Sequence, residues 1–224
     1  MSVERPPTVG SQILLQRAVN DYPAILRNAL HASGALAVGE DVTWVSPLFP
    51  NYKESRDNEA LAKLNIAQPL RVPLADFWPA RGPVWDALGI ASSGAKVLVE
   101  AKAHIAEAAS PATKATPKSL ARIRSSLELA RKWYAPRNRT DWSGHFYQYA
   151  NRLAFHFFLK KHNSIPSRLV FVNFTNAIEV AGPASEAEWH GATRLLHAVL
   201  GLPKDLAGFG VYHAFVDART LTNV

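Results

Sequence analysis

The sequence predicts an α/β domain with a mixed central sheet and helices on its faces. Three observations carry this. Runs rich in β-branched and aromatic residues, bounded by Pro and Gly, cluster in the middle of the chain. One of the most apolar segments, RLVFVNFT at 168–175, reads as a buried strand. The order helix, three strands, helices, strand, helix, strand puts consecutive strands first and crossover helices later, as a sheet with antiparallel and parallel parts requires.

Each element has its own signal. Segment 11–32 is amphipathic, with Ile13, Leu14, Ala18, Ile25 and Leu30 as core contacts, and Pro23 should kink or split it. Residues 40–52, with Pro47 and Pro50, read as a connector, and 54–65 as a short helix. Strand patterns follow at 70–78, 84–91 and 96–103. A loop rich in Ala, Pro and Thr covers 106–117, and helices are expected at 118–134 and 143–162. After the 168–175 strand, Ser185 and Glu188 have capping-box spacing for a helix over 185–200. A last strand is expected at 209–216. Residues 1–10 read as a flexible tail and 11–224 as a single domain.

Composition narrows the function. The chain has no Cys, which excludes disulfides, thiolate metal sites and a thiol nucleophile. No apolar run approaches the roughly 18 residues of a membrane span. The first ten residues lack the apolar stretch of a secretory signal, so a cytoplasmic protein without a membrane partner is expected. The net charge is +7, and segment 114–139 holds eight basic residues against one acid, Glu128. Such a segment suits a polyphosphate partner; it equally suits a solvated helix face. The histidines lack HExxH spacing, no Gly-x-Ser-x-Gly elbow occurs, and the Gly-rich segment 89–96 lacks the Lys-Ser/Thr of a phosphate loop.

The hairpin over 84–103 poses the sharpest question, because it carries charge. On its second strand Leu98, Glu100, Lys102 and His104 share one face, while Val97, Val99, Ala101 and Ala103 share the other. The apolar face should pack and the charged face should look elsewhere. If Ser92-Ser93-Gly94 is a three-residue loop with Gly94 left-handed, Ala91 pairs with Ala95 and Asp86 falls opposite Glu100. A two-residue loop would put Asp86 on the other face. Opposed carboxylates about 5 Å apart at Cβ repel. They become favourable when a hard divalent cation such as Mg²⁺ sits between them.

Asp86, thirteen residues, then Glu100-Ala101-Lys102 resembles the core motif of the PD-(D/E)xK nuclease superfamily, the restriction-endonuclease-like fold, over about residues 52–175. Trp85 stands where that family often has Pro. Members similar to the lambda exonuclease carry Gln-x-x-x-Tyr on a later helix; here Gln148 matches and Arg152 stands in the Tyr position. The resemblance implies a metal-dependent nuclease acting on DNA rather than RNA. Mg²⁺, with Mn²⁺ substituting, would be held by Asp86, Glu100 and the backbone carbonyl of Ala101. Lys102 would orient the attacking water, and Gln148 and Arg152 would position the substrate strand. Arg could grip a phosphate bidentately, whereas Gln148 also suits the outer face of an amphipathic helix.

The resemblance implies a further acid from the helix before the sheet. Leu61 and Leu64 mark its buried side, and Glu54, with Asp57 next, falls there; both also suit a helix start. His104 would touch a phosphate or orient a water. Lys118, Arg122, Arg131 and Lys132 would hold backbone phosphates without reading bases. Relatives often act as dimers, so a homodimer stays open, with no interface legible. The competing expectations are a nuclease-like nucleic-acid-binding module without catalysis, and a structural protein whose basic segment is a partner surface.

Overall fold

The computed structural model describes residues 10–178 and 183–221; the tail expected at 1–10 lies outside them but for Gly10. The strands are β1 (Val42–Ser46), β2 (Ala87–Ala91), β3 (Lys96–Lys102), β4 (Ser167–Thr175) and β5 (Val211–Asp217). They form one sheet in the order β1-β2-β3-β4-β5. The β1–β2 and β2–β3 pairs are antiparallel, and the β3–β4 and β4–β5 pairs are parallel. The helices are α1 (Ser11–Asn20), α2 (Pro23–Ala32), α3 (Asp57–Lys63), α4 (Leu74–Phe77), α5 (Pro117–Tyr134), α6 (Tyr147–Phe157) and α7 (Glu186–Leu200), and a π-helical turn, Phe158–His162, extends α6. The chain is therefore an α/β protein with a five-stranded mixed sheet flanked by helices. Among the described residues no helix is long and apolar enough to cross a membrane.

Pro23 does divide the first helical segment, taking the first position of α2. Ser185 and Glu188 form the expected capping box: the Ser185 hydroxyl accepts from the Glu188 N–H at 3.3 Å, and the Glu188 carboxylate accepts from the Ser185 N–H at 2.7 Å.

Segment 70–78 is not a strand. Pro69, Pro73 and Pro79 remove ladder donors on both sides and within it. Instead Pro73 leads into α4, whose Leu74 and Phe77 are buried against the helical layer. The third strand of the antiparallel half is β1, inside the expected connector: Pro47 and Pro50 follow the strand rather than interrupt it. Gly89 makes room for it, since a Cβ there would collide with Val42 and Trp44 of β1. The helix expected at 54–65 begins only at Asp57, and that expected at 143–162 only at Tyr147.

The sheet is buried on both faces. Val97, Val99, Ala101, Val170, Val172 and Ala214 pack under α1 and α2. Leu88, Leu98, Leu169 and Phe171 pack under α3–α7. The charged face of β3 is covered as well, by α6. A parallel half with helices on both faces forces this arrangement.

Candidate active site

The 92–94 turn fixes the register. Gly94 is left-handed at φ 85, its N–H donates to the Ala91 carbonyl at 2.7 Å, and the Ala91 N–H donates to the Ala95 carbonyl at 2.9 Å. Pairing then runs Gly89–Val97, Leu88–Leu98 and Ala87–Val99, where the ladder ends, and Asp86 stands one residue before β2. Asp86 Oδ2 accepts from the Ala101 N–H at 2.7 Å.

Glu100 is only 1% exposed, and both its oxygens are engaged by cations. Oε1 lies 2.6 Å from Lys102 Nζ. Oε2 accepts from Arg152 Nε at 2.6 Å and pairs with Arg152 Nη2 at 2.5 Å. Lys102 Nζ also donates to Gln148 Oε1 at 2.9 Å. Gln148 and Arg152 stand four residues apart on α6, one helical turn, so the same face of one helix brings both to β3. Arg152 is buried as well. It donates to the Val84 carbonyl at 2.8 Å and to Asn151 Oδ1 at 2.9 Å, and its guanidinium lies 5.0 Å from the Trp85 ring centroid. The donors that Arg152 was expected to offer a phosphate are thus engaged inside the protein. A buried carboxylate needs such partners, because removing its charge from water is costly.

Asp86 is less well supplied. Burial pushes its carboxyl well above the ordinary aspartate range, and the Glu100 charge pushes it the same way. Arg152, the Ala101 N–H and Lys102 oppose the rise without cancelling it. Glu100 has its counter-charges in contact, whereas among the described residues no cation forms a salt bridge with Asp86.

Glu54 is not on a helix. An isolated bridge between Ser55 and Trp85 carries its segment past Asp86. It accepts from Gln12 Nε2 at 2.7 Å, and its carboxyl is raised by burial and, to a smaller extent, by the Glu100 charge. Asp57 instead accepts from the Arg81 and Gly82 N–H groups, each at 2.9 Å, which fixes a turn. Among the described residues no group of three or more carboxylates or histidines could hold a metal ion.

His104 lies past the end of β3 and faces Glu107 at 3.4 Å. Lys118, Arg122 and Lys132 are exposed on α5, although Arg122 also bonds the Ala75 carbonyl and Lys132 lies 3.4 Å from Glu128. Arg131 points inward: it is 6% exposed and bonded to Glu128 at 2.8 and 2.7 Å. The expected grip of Arg131 on a backbone phosphate is corrected accordingly, since α5 turns this side toward its own core.

Sequence reasoning missed the continuation of the site across the sheet. Glu100, Phe171 and His213 lie side by side on β3, β4 and β5. A cavity of about 30 Å³, room for ordered water, is bounded by Lys102, Gln148, Tyr149, Asn173 and His213. Asn173 Nδ2 lies 3.3 Å from His213 Nδ1, the Tyr149 hydroxyl 3.1 Å from His213 Nε2, and the same hydroxyl 2.8 Å from His197 Nε2. Burial pushes the His213 imidazole down to about 3, so it is neutral, and Tyr149 is pushed up by the same cause. Only the pairing of β4 with β5 reveals this row. Comparison with protein-family models, curated proteins and solved structures finds no match to the chain.

Proposed function

We propose that the protein is a restriction-endonuclease-like nuclease that hydrolyses nucleic-acid phosphodiesters, in DNA rather than RNA, at the Asp86–Glu100 pair. One observation carries the reading: Lys102 Nζ lies 2.6 Å from Glu100 Oε1 and 2.9 Å from Gln148 Oε1, and Asp86 Oδ2 accepts from the next N–H after Glu100, that of Ala101.

The donor set suits Mg²⁺ or Mn²⁺, which take hard oxygens. Asp86 and Glu100 would hold the ion with the Ala101 carbonyl, since the N–H and C=O of one strand residue point to the same edge and the Ala101 N–H meets Asp86. Once bound, the ion would activate water and offset charge on the phosphate. Lys102 has three ammonium protons, of which Glu100 and Gln148 take two. The third is left for the attacking water and for the negative charge that grows in the transition state. Gln148 limits the swing of Lys102, and Arg152 fixes the Glu100 carboxylate. Glu54 adds an acid on the Asp86 side, and the outer face of α5, through Lys118, Arg122 and Lys132, holds backbone phosphates.

The test is Mg²⁺-dependent cleavage of plasmid and oligonucleotide DNA. Asp86→Ala and Lys102→Ala should lose cleavage while keeping the parental circular dichroism. Cutting by the Lys102→Ala protein at the parental rate ends this reading.

A second reading is a nucleic-acid-binding module without catalysis. It is favoured by the two cations already on Glu100, which balance the buried charge without any ion. It predicts salt-sensitive DNA binding with no metal-dependent product.

A further inference from the structure

The opposite end of the sheet carries a second cleft that the nuclease reading does not use. It measures about 550 Å³ and is bordered by Ser93, Lys160, Ser164, Ser167, Arg168 and Tyr212, where β3, β4 and β5 begin. Lys96 and Lys102 mark the two ends of β3, roughly 20 Å apart at about 3.3 Å per residue. The cleft is therefore distinct from the acid pair.

Its charges are unbalanced. Lys160, in the π-helical turn after α6, is half-buried against Gly210; a Cβ there would stand 2.5 Å from Lys160 Nζ. Among the described residues no carboxylate or hydrogen-bond acceptor pairs with this ammonium. Burial and the neighbouring Arg168 charge both lower the Lys160 pKa. Arg168 Nη1 pairs with Glu40 Oε2 at 2.6 Å, and Glu40 also accepts from the Ser93 hydroxyl and, at 3.0 Å, from the Ala37 N–H. Burial works against the Glu40 carboxylate, yet these bonds hold it at about 2, so it stays ionised and offsets Arg168 alone. One positive charge remains over. Beneath it Ser167 is 2% exposed, and its hydroxyl has no hydrogen-bond partner among the described residues.

We infer that this cleft binds the terminal phosphate of a small phosphate ester, with Lys160 and Arg168 as the cationic contacts and Ser93 and Ser164 at the rim. The size lies within the range of small-molecule sites. A guanidinium fork beside an ammonium matches phosphate oxygens. One surplus charge in a cleft suits a single terminal group, whereas a run of phosphodiesters calls for a longer cationic track.

The test is calorimetric titration of the full chain with a nucleoside 5′-monophosphate, with inorganic phosphate, and with a short single-stranded oligonucleotide. The monophosphate should bind, and inorganic phosphate should compete with it. Lys160→Met should weaken binding by about tenfold or more, the range of a charge-assisted contact. Ser164→Asp, an exposed change that adds a carboxylate to the rim, should weaken it several-fold and decides the matter if the Lys160 variant fails to fold. Asp86→Ala should leave it unchanged, which separates this cleft from the nuclease site. No binding of the monophosphate, undiminished binding by both cleft variants, or binding of the oligonucleotide alone would overturn the assignment.

Discussion

Val97, Val99 and Ala101 turn one face of β3 toward α1 and α2, while Leu98, Glu100 and Lys102 turn the other toward α6. Both faces are shut off from water. The first is held by contact of methyl groups. The second contains a carboxylate at 1% exposure and is held because α6 delivers Arg152 and Gln148 to it. Aliphatic packing is non-directional and tolerates small errors. A buried ion cluster has to be complete, since one missing partner leaves an unpaired charge in a medium that solvates it poorly. The contrast teaches that charge on this strand is built in, at a cost that a purely structural strand avoids.

The largest effect should come from separating the faces by activity. Lys102→Ala removes the ammonium that Glu100 and Gln148 hold and should lower Mg²⁺-dependent cleavage by about 10²–10³-fold, the range for one preorganised electrostatic contact. Val99→Ala, one residue from Glu100 but on the other face, should leave the rate within a few-fold. Equal losses in single-turnover assays would mean that the two faces differ only in packing.

Next comes stability. Arg152→Ala strands Glu100 with Lys102 alone and should cost about 3–5 kcal/mol in urea unfolding. Adding Glu100→Gln to Arg152→Met removes the stranded carboxylate, leaves only the partly exposed Lys102 ammonium without its counter-charge, and should recover part of that loss. If the double variant is no better than Arg152→Met, the cluster holds the fold through shape, and the proposed cost of an incomplete ion set is wrong.

How far these features were legible follows from the range of each signal. The turn at Gly94 is local, so the sequence could set Ala91 against Ala95 and the β2–β3 register as far as Ala87 and Val99. The capping box of α7 is local in the same way. The partner of Glu100 is not: Arg152 lies 52 residues away on α6, and its position in the motif suggested a phosphate contact. Period-2 alternation shows which residues share a face of β3 but is silent on what covers that face, which is α6. β1 was missed because Pro47 and Pro50 mark the end of a strand as readily as a connector. Segment 70–78 has strand-like composition, and only the spacing of its prolines argues against a ladder. The row from Glu100 to His213 depends on parallel pairing across β4, which no local pattern encodes.

A smaller effect is expected from the aliphatic face itself. Val99→Ala should cost about 2 kcal/mol, since it deletes buried methyl groups and leaves a small cavity. That loss should be the same with and without Mg²⁺, because the residues clustered with Val99 on that side of β3 are aliphatic and aromatic. A Mg²⁺-dependent loss, read from melting temperature, would show that the faces are coupled through the strand.

The smallest and most specific effect concerns Asp86. Its folded-state pKa is raised, first by burial and then by Glu100, above the value in the unfolded chain. Between the ordinary aspartate value of about 4 and the raised one, the native protein holds a proton that the unfolded chain has released. Stability therefore falls as pH rises through that window, and the deficit is full above it. Asp86→Asn keeps an oxygen for the Ala101 N–H but has no charge to bury. The variant should match the parent in acid, below the ordinary aspartate range, and become the more stable of the two as pH rises. Mg²⁺ at neutral pH should close the gap by stabilising the parent alone. A gap independent of pH would show that Asp86 titrates as it does in water. A gap that opens with pH but ignores Mg²⁺ would leave the burial argument standing and take the ion away from this carboxylate.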